Sequence, residues 1–436
     1  MFFSSSPKIC YNPPMFIHID IDSFFVSAER TVHPELKNIP MAVGGRSNTE
    51  IFSRKRQHIR LMNDNAGAFV TPVFYSDHQK NFREKFIDHI DGREKIRGIV
   101  TTSSYEARAC GVKTAMPLAQ ALRLCPSMVV VPSTYLLYHK LSHRIHALVA
   151  KRIPEVEQFS IDEFFGDVRG WVRDEALETF ARDLQAELLA EFDIPVSIGI
   201  ARSKWTAKLA TEYAKPYGVL RVDDVATFIA DKPIEKFPGI GRKLQERLRE
   251  RGITQLGQIA AQRGLFDSWG KSGRALYARI LGTDGEGIVQ RAGRKSIGIS
   301  RTFDPIDDPD EVRRRIMILA RHVTYITLGM EANPTIYSLK IHYEYGTRAK
   351  ESRRVERLFS ERLFKHTLAE IYDAIARPEL SAVKISLSVS DFTLHHPRAL
   401  SLLEFEDDQK ARAISDKVQQ VRERFGLDVI RTANEL

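Results

Sequence analysis

The chain is poor in cysteine and lacks long apolar runs, internal repeats and low-complexity tracts. Each of these features excludes certain classes of protein. Three of its 436 residues are cysteines, an odd number without metal-ligand spacing, which argues against a disulfide framework and indicates a reducing compartment. We expect Cys10, Cys110 and Cys125 to be small buried apolar side chains. No apolar stretch reaches the length of a membrane span, and the residues before Met15 lack the features of a signal peptide. A cytoplasmic protein without a membrane partner is therefore expected.

Size and charge allow several folded domains and favour one kind of partner. A chain of 436 residues is long enough for three or more domains, and 43% hydrophobic residues suffice for ordinary cores. Lysine plus arginine exceeds aspartate plus glutamate by nine (65 against 56), and the isoelectric point is near 9.3. This excess favours a polyanion such as nucleic acid, although basic enzymes without such a partner are common.

Two adjacent carboxylates, Asp162 and Glu163, lie inside the apolar segment 159–165. An unpaired negative charge is costly among aromatic and aliphatic side chains, so a positive partner is needed, and a metal ion fits this need best. Neighbouring side chains of a regular strand point to opposite faces. The two acids can therefore act together only where the chain bends, as at the tip of a hairpin.

A second acidic cluster lies in residues 17–22 and alternates with period two. His18, Asp20 and Asp22 share one face of the predicted strand, while the isoleucines between them face a core. Three or four carboxylates can thus converge on one site. The alternative is that the acids of both clusters cap loops or pair with surface lysine and arginine. The surrounding phenylalanine and isoleucine residues make this alternative less favourable.

Strands alternate with helices up to residue 222, and the acids fall on the strands. A small helical region follows, in which residues 238–241 (Pro-Gly-Ile-Gly) form a hairpin that can present backbone N–H groups to a phosphate. A plain helix-turn-helix corner is the alternative for this hairpin. The last module has β-α-β-β-α-β order. Its predicted strands are 296–303, 335–345, 353–359 and 382–393, and its predicted helices are 309–329 and 361–376.

Five ordered motifs lie at 16–25, at 105–108 with 111–113, at 160–163, at 197–201 and at 214–218. They resemble the motifs of the Y-family translesion DNA polymerases of the DinB/UmuC-like group. The similarity extends from about residue 15 to the carboxyl terminus, is interrupted by residues 46–97, and is highly specific because order and spacing both fit.

The resemblance implies a multidomain α/β (α+β) fold of the right-hand polymerase type, with palm, fingers, a helical helix-hairpin-helix thumb and a β-α-β-β-α-β little finger. The implied limits are 15–23 and 134–222 for the palm, 24–133 for the fingers with the insertion 46–97, 223–287 for the thumb, 288–295 for a basic linker, 296–396 for the little finger and 397–436 for a tail.

The resemblance also implies the catalytic site. It makes Asp20 and Asp162 direct metal ligands, the backbone carbonyl of Ile21 a further ligand, and Glu163 the catalytic acid that completes the metal site. Two divalent ions held in this way activate the attacking oxygen and stabilise the leaving group. Mg²⁺ suits such oxygen ligands, and Mn²⁺ can substitute for it. Asp22 is a weaker candidate for metal contact.

The same motifs imply the nucleotide contacts, and the thumb and the linker carry the expected DNA contacts. Tyr105, Arg108 and Lys215 match positions that hold the triphosphate of the incoming nucleotide. Phe25 matches the bulky residue that packs beneath the sugar and excludes a 2′-hydroxyl. Phe24 is also placed at the nucleotide site, although its sequence pattern is that of a core aromatic. Outside these motifs, glycines that can bring backbone amides to a phosphate and basic residues that add sequence-independent charge are expected to contact DNA, with a solvated surface charge as the alternative for each basic residue taken singly. These residues are Gly239, Gly241, Arg242, Lys243, Arg294, Lys295 and Arg301.

Two regions depart from the family pattern. The insertion 46–97 replaces a short turn, and we expect an ornamental or partner-binding surface segment with one helix near 78–90. Near the end, Leu400–Leu403 keeps the apolar part of a clamp-binding peptide but lacks its glutamine and its aromatic residue, so binding to a bacterial sliding clamp is expected in weakened form. The helix predicted at 409–424 slightly favours the UmuC type over the DNA polymerase IV type.

The expected function is low-fidelity, template-directed DNA synthesis from dNTPs on primer-template DNA, past damaged bases and in the bacterial cytoplasm. One alternative is a non-catalytic DNA-binding accessory that keeps the fold but has lost the acids. The presence of Asp20, Asp162 and Glu163 argues against it. A nucleotidyl cyclase also uses metal-binding acids on a palm-like domain, but the thumb and the little finger would then have no purpose.

Overall fold

A computed structural model describes residues 15–55, 59–62, 73–76, 81–90, 92–290, 293–393 and 403–436. Within these residues the strands are β1 (Phe16–Ile21), β2 (Met41–Gly45), β3 (Ile59–Met62), β4 (Val73–Ser76), β5 (Ile87–Ile90), β6 (Arg93–Ile96), β7 (Ile99–Ser103), β8 (Val129–Pro132), β9 (Glu155–Gln158), β10 (Glu163–Asp167), β11 (Val196–Ala201), β12 (Val219–Val222), β13 (Ser296–Ile306), β14 (Asn333–Tyr343), β15 (Arg348–Arg354) and β16 (Ala382–Thr393). The α-helices are α1 (Phe24–Val32), α2 (Phe82–Phe86), α3 (Tyr105–Ala109), α4 (Leu118–Leu124), α5 (Tyr135–Arg152), α6 (Leu177–Phe192), α7 (Lys204–Ala214), α8 (Val225–Ile229), α9 (Arg242–Arg249), α10 (Arg263–Ser268), α11 (Gly270–Ile280), α12 (Pro309–Gly329), α13 (Glu361–Ile375) and α14 (Phe405–Phe425).

The sheet that positions the acids has the strand order β12-β11-β1-β10-β9. β1 runs antiparallel to both of its neighbours, β10 and β11. Ile17 and Ile19 of β1 join leucines of α5 and α6 in one core, as the period-two pattern predicts. Helix α7 covers the opposite face, where the His18 ring lies against Thr211. Every residue of β1 is therefore buried.

A second sheet, β7-β2-β8, lies in the predicted fingers. The predicted helix near 78–90 is shorter than expected, because the chain leaves α2 at Phe86 and enters the β5–β6 hairpin. Phe86 is fully buried, and a Cβ at Gly44 would lie 2.6 Å from its ring, so this glycine makes room for the inserted residue. Within the described residues the insertion therefore contributes Phe86 to a core and is not a surface segment throughout, while its ornamental or partner-binding role stays a prediction.

The cysteine expectation holds in one of the two cases that can be compared. Cys125 is buried in the core of the fingers. Cys110 is exposed, because it follows the last residue of α3 and precedes a turn at Gly111. Cys10 lies outside the described residues.

The thumb is helical, with a core that contains Phe237, Ile240 and Leu248. The chain turns into α9 through Gly239, whose φ of 96° lies in the left-handed region that favours glycine. Gly241 stands at the N-cap position of α9, and no side chain caps this helix start. The backbone N–H groups of the first turn therefore have no side-chain cap at this helix start.

The predicted β-α-β-β-α-β order of the last module is confirmed. β13, α12, β14, β15, α13 and β16 follow one another, and the strands form a sheet with the order β13-β16-β14-β15. β15 begins earlier than the predicted strand 353–359, because Tyr345 and Gly346 at positive φ turn the chain directly after β14. α12 and α13 cover one face of the sheet and bury its core. The limits of all the domains stay predictions.

The carboxyl-terminal residues pack on α12 and α13 through buried ion pairs. Arg321, which is 1% exposed, donates from Nε to Glu435 (2.6 Å) and from Nη1 to Asp428. Lys365 also donates to Glu435, over 2.6 Å. Removal of one partner would leave an uncompensated buried charge. These pairs therefore fasten the end of the chain to the little finger.

The first part of the insertion, residues 46–55, reaches the little finger, and we call it the strap. Ile51 and Phe52 are 2% and 4% exposed and belong to the core of the little finger. The Phe52 ring lies edge-on to Phe303 (6.0 Å between centroids), and the Arg315 guanidinium lies 4.6 Å from the Phe52 ring centroid. Strap and little finger therefore share one core.

Backbone hydrogen bonds extend this attachment. Arg314 Nη2 donates to the carbonyl of Phe52 (2.7 Å). Arg431 donates to the carbonyls of the three following strap residues, over 3.0 to 3.2 Å. The N–H of Thr302 donates to the Ser47 hydroxyl (3.2 Å). The strap thus links the fingers to both the little finger and the carboxyl-terminal tail.

Replacement of Phe52 by alanine is expected to lower the free energy of unfolding of the little finger by about 3 to 5 kcal/mol, because it empties a buried aromatic site. Equilibrium unfolding in urea measures this change. Phe425→Ala is the matched control, because Phe425 is 53% exposed, and its effect should be small. An unchanged urea midpoint for Phe52→Ala would contradict the shared core.

None of the described helices combines the length and the apolar composition needed to cross a membrane.

Candidate active site

The three predicted catalytic acids lie where β1 ends beside the β9–β10 hairpin. Asp20 stands opposite Glu163 in the register of β1 and β10. The N–H of Ile21 donates to the carbonyl of Asp162 (3.0 Å), which ties the hairpin tip to the end of β1. The Ile21 side chain lies in the core, so only its backbone carbonyl is available as a metal ligand. The predicted hairpin is confirmed, because β9 pairs with β10 on either side of residues 159–162.

Burial makes these acids electrostatically costly. It raises the pKa of Asp20 to about 8, an effect that Lys215 opposes and to which the neighbouring acids Asp162 and Glu163 add. Burial also raises the pKa of Asp162, against a hydrogen bond from Ser160 that lowers it. A further cation beside Asp20 would lower its pKa and favour its charged form.

Two lysines supply positive charge to the site. Lys215 Nζ lies 2.9 Å from Asp20 Oδ2, and Lys208 Nζ donates to Glu163 Oε1. Burial lowers the pKa of Lys215, but the charge and hydrogen bond of Asp20 together with the charges of Glu212 and Asp22 raise it, so the net pKa lies above its ordinary value. Lys208 belongs to α7 and Lys215 directly follows it. Helix α7 and the residue that follows it therefore present one ammonium group each to the acids.

The donor set fits a hard divalent cation. Carboxylate oxygens are the ligands that Mg²⁺ and similar ions prefer, and the three acids outnumber the two lysines that pair with them. Within the described part of the chain, no three His, Cys, Asp or Glu side chains already form a metal cage. Lys208 contacts Glu163 and Lys215 contacts Asp20, so each lysine engages an oxygen of one acid.

His18 is a neighbour of the acids to which the sequence assigned no role. Burial lowers the pKa of His18 well below its ordinary value, and Lys208 and Lys215 lower it further, so the ring is neutral. Its Nδ1 lies 2.9 Å from the Thr211 hydroxyl, and its Nε2 lies 3.9 Å from Glu163 Oε1. The ring therefore separates α7 from the sheet without adding charge to the site.

Asp22, the weaker metal candidate, has a different environment. Its carboxylate accepts hydrogen bonds from the Ser197 hydroxyl (2.9 Å), the Tyr217 N–H (2.7 Å) and the Tyr105 hydroxyl (3.1 Å). Burial raises its pKa, and these donors oppose that rise. Because protein donors use both oxygens, Asp22 organises the loops beside the acids and is not a free metal ligand here.

Two of the predicted triphosphate residues lie side by side next to Asp22. Arg108 stacks its guanidinium over the Tyr105 ring, 4.8 Å from the centroid, and donates from Nε to the carbonyl of Ser103 (3.1 Å). Tyr105, with Asp22, also lines a cavity of about 180 Å³. Lys215 does not line this cavity, since it points to Asp20. A larger cavity of about 960 Å³ lies between α13 and α14, away from the acids.

The two adjacent phenylalanines have different surroundings. Phe25 is partly exposed and stacks on Tyr138, with ring centroids 4.3 Å apart. Phe24 is 2% exposed and lies in the palm core. The ring of Phe24 is thus a core aromatic, as its pattern indicated, while the nucleotide-site roles of both Phe24 and Phe25 stay predictions.

The predicted DNA contacts are placed in two kinds of environment. Gly239, Gly241, Arg242 and Lys243 lie on the exposed surface at the start of α9, and Lys295 of the linker is also exposed. Arg294 is partly exposed. Arg301 differs, because its Nε donates to the carbonyl of Asn48 in the strap (3.2 Å). Its guanidinium thus serves the contact between strap and little finger.

The open face of the little-finger sheet carries cations that the sequence interpretation missed. Lys340 lies opposite Lys350, and His342 lies opposite both Arg348 and Lys384. Burial lowers the pKa of His342, and Lys340, Lys384 and Arg348 lower it further, which shows that these charges lie close together. The alternation of these residues with apolar ones was the available signal. We call Lys340, Arg348, Lys350 and Lys384 the sheet-face patch.

Together these features define a class. A palm sheet that presents clustered acids, a helical hairpin thumb and a further αβ module with a basic face are the parts of a right-hand nucleic-acid polymerase. Residues 19–212 match the impB/mucB/samB family, and residues 222–253 match the helix-hairpin-helix motif of the IMS family.

Curated relatives agree with this class. DNA polymerase IV of Yersinia enterocolitica is 31% identical over 292 residues, which cover 66% of this chain and 70% of that protein. DNA polymerase IV 1 of Halalkalibacterium halodurans is 28% identical over 431 residues, which cover 96% and 92%. Among solved structures, a Y-family DNA polymerase chimera of Dbh and Dpo4 has a TM-score of 0.68 at 23% identity, covering 87% of this chain and all of that one. DinB from Sulfolobus solfataricus has a TM-score of 0.52 at 22% identity with the same coverage.

The chain belongs to the Y family of DNA polymerases and is of the DinB type. The predicted fold and the predicted class, a translesion DNA-directed DNA polymerase, are confirmed, and the non-catalytic accessory is not favoured. The slight preference for the UmuC type is wrong, since a carboxyl-terminal helix is weaker evidence than the whole-chain similarity to DNA polymerase IV proteins. Polymerases of this family use divalent metal ions.

Proposed function

We propose that this protein extends a DNA primer past damaged template bases in the bacterial cytoplasm, with catalysis at Asp20, Asp162 and Glu163. The observation that carries the proposal is the convergence of the buried Asp20 and the partly buried Asp162 and Glu163 on one edge of the palm, within reach of Lys208 and Lys215. Without a polyanionic substrate and its cations, such an arrangement would cost stability and provide nothing in return.

Asp20, Asp162 and the carbonyl of Ile21 would hold two Mg²⁺ ions, with Glu163 completing the site at the primer end. When bound, these ions favour ionisation of the primer 3′-hydroxyl and neutralise charge on the phosphates. Asp20 no longer requires Lys215 once it has another counter-ion. Mn²⁺ would fit the same oxygen donors.

Lys215, released from Asp20, can donate to the triphosphate. Tyr105 and Arg108 would contribute a hydroxyl and a guanidinium to the same phosphates. Arg108 is already oriented by its contact with the Tyr105 ring. These roles require a modest rearrangement of hydrogen bonds, because the Tyr105 hydroxyl donates to Asp22 in the free protein.

DNA would be held by charge, without reading its sequence. The exposed start of α9, with Arg242 and Lys243, can bind a backbone phosphate. Arg294 and Lys295 of the linker would follow the same backbone toward the little finger. There the sheet-face patch offers four further cations. Arg301 is a weaker candidate than the sequence indicated, because it binds the strap.

Replacement of Phe25 by alanine is expected to increase the use of ribonucleotides relative to deoxyribonucleotides by roughly 10- to 200-fold, the range over which a small steric group discriminates. The reason is that the ring of Phe25 would no longer collide with a 2′-hydroxyl. The ratio of kcat/KM for CTP and dCTP opposite guanine measures the effect. Phe24→Leu is the matched control, since Phe24 is buried and should affect stability without changing this ratio. Equal ratios for Phe25→Ala and wild type would contradict the assignment.

Binding to a bacterial sliding clamp through Leu400–Leu403 is also proposed, in weakened form. Residues 400–402 lie outside the described residues, and Leu403 is 97% exposed. A pull-down with a bacterial clamp, compared with Leu400→Ala and Leu402→Ala, tests the proposal. Equal retention of all three proteins would count against this segment.

Primer extension with Mg²⁺ and all four dNTPs, on an undamaged template and on one with an abasic site, tests the proposed activity. Full-length product is expected on both templates. A protein that extends the primer on the undamaged template but always stops before the abasic site would not be a translesion enzyme for that lesion.

A further inference from the structure

One buried ion pair near the acids has no part in the mechanism above. Glu157 of β9 and Lys204 of α7 are 5% and 4% exposed, and Lys204 Nζ lies 2.6 Å from Glu157 Oε2. Placing two charges in the interior costs desolvation that their mutual attraction often fails to recover. A purely structural contact at this place would be served as well by two apolar side chains. We therefore ask which segments of the chain this pair holds in position.

At one end the pair contacts the catalytic hairpin. Glu157 stands opposite Phe165 in the register of β9 and β10, two residues along β10 from Glu163. The Lys204 ammonium lies 4.7 Å from the centroid of the Phe165 ring and 6.0 Å from that of Phe159, which begins the hairpin tip. The position of the tip, and hence of the acids, is thus set partly by this pair.

At the other end the same carboxylate holds the linker. Glu157 Oε2 also accepts a hydrogen bond from the N–H of Val289 (2.7 Å), at the start of the predicted linker. The residues just before it are fixed to the beginning of α7. Asp284 accepts from the Ser203 hydroxyl (2.9 Å), and Glu286 accepts from Trp205 Nε1 (3.0 Å).

We infer that Glu157 and Lys204 form a latch that couples the position of the linker before the little finger to the geometry of the catalytic hairpin. They are positioning residues, since neither contacts the reacting groups. A displacement of Val289 removes one of the two donors of Glu157 Oε2 and changes how Lys204 rests on Phe165. The hairpin tip then shifts, and with it Asp162 and Glu163. The kinetic consequence of the latch rests on the proposed polymerase function, whereas its mechanical consequence does not.

The double variant Glu157→Met/Lys204→Met tests the latch. Because both charges are removed together, no unpaired charge stays in the interior, and the thermal midpoint should be close to that of wild type.

Trypsin should cleave the double variant after Arg294 and Lys295 about 10-fold faster than wild type. The affinity for Mn²⁺, measured by the paramagnetic resonance signal of the ion, should fall. The kcat of nucleotide incorporation should fall about 10- to 100-fold, as expected for a small misplacement of catalytic groups. The Kd for primer-template DNA should change by no more than about threefold, since phosphate contacts determine it.

Lys37→Met/Asp193→Asn is the matched control, because it removes an exposed ion pair, 41% and 52% exposed, between fingers and palm. It should behave as wild type in every assay. A folded latch variant with wild-type Mn²⁺ affinity and wild-type kcat overturns the inference, and so does a loss of kcat that merely parallels the unfolded fraction. If wild type itself does not extend primers, the proposed function fails. Trypsin cleavage and Mn²⁺ affinity then decide the latch by themselves.

Discussion

Replacement of Asp162 by asparagine, or of Glu163 by glutamine, is expected to lower the single-turnover rate of nucleotide incorporation by at least about 10³-fold, or about 4 kcal/mol of transition-state stabilisation. Each substitution removes one negative charge and nearly preserves side-chain size. The acids lie together at the hairpin tip and the end of β1. The loss of either carboxylate would therefore remove an oxygen ligand from the proposed divalent metal site. Rapid-quench incorporation of one nucleotide measures the rate.

Folding and DNA binding should be preserved in these variants. Burial raises the pKa of Asp162, so a neutral amide at this position costs less desolvation than the carboxylate, and the thermal midpoint should not fall. Glu212→Gln is the control, because this carboxylate lies near Lys215 but is 40% exposed and outside the acid cluster. If either acid variant kept more than about a tenth of the wild-type rate, the assignment of that acid would be wrong.

Loss of the sheet-face patch is expected to have the second largest effect. Replacement of its four cations by alanine should raise the Kd for primer-template DNA by about 10²- to 10³-fold at low salt. It should also reduce the slope of log K against log salt by up to about 3.6, or about 0.9 for each lost phosphate contact. The patch lies on the open face of a sheet whose other face is covered by α12 and α13. Fluorescence anisotropy over a series of salt concentrations gives both quantities.

A control with the same change in charge separates local contact from the overall field of the protein. Four cations on the helical side of the little finger and on α14, all exposed, can be replaced by alanine: Arg362, Lys410, Lys417 and Arg424. If this control and the sheet-face variant weakened binding equally, the effect would come from net charge, and the sheet face would not be the DNA surface.

Local patterns predicted the parts of the site that depend on neighbouring residues in the chain. The period-two alternation of β1 predicted that Ile17 and Ile19 face a core, and the acid pair in an aromatic segment predicted a hairpin tip at Asp162. The order of the little-finger elements followed from their periodicity, and α12 begins and ends as predicted. These features arise from steric and solvation rules that act within a few residues.

Contacts between distant segments could not be predicted in the same way. Phe52 is one aromatic residue in an irregular segment, and nothing near it in the sequence indicates that Phe303 and Arg315 would bury it. Lys208 and Lys204 have the spacing of one helix face, but their acidic partners lie 45 and 47 residues away. These contacts depend on tertiary packing between distant segments, which local patterns in a single sequence do not predict.

Single-nucleotide insertion by the wild-type protein tests the central claim most directly. Each of the four dNTPs is offered with Mg²⁺ opposite each of the four template bases, and a chelator is added in a parallel series. We predict incorporation that favours the complementary nucleotide and stops when the divalent ion is removed. Absence of incorporation in every combination, or incorporation that ignores the template base, would contradict a template-directed polymerase.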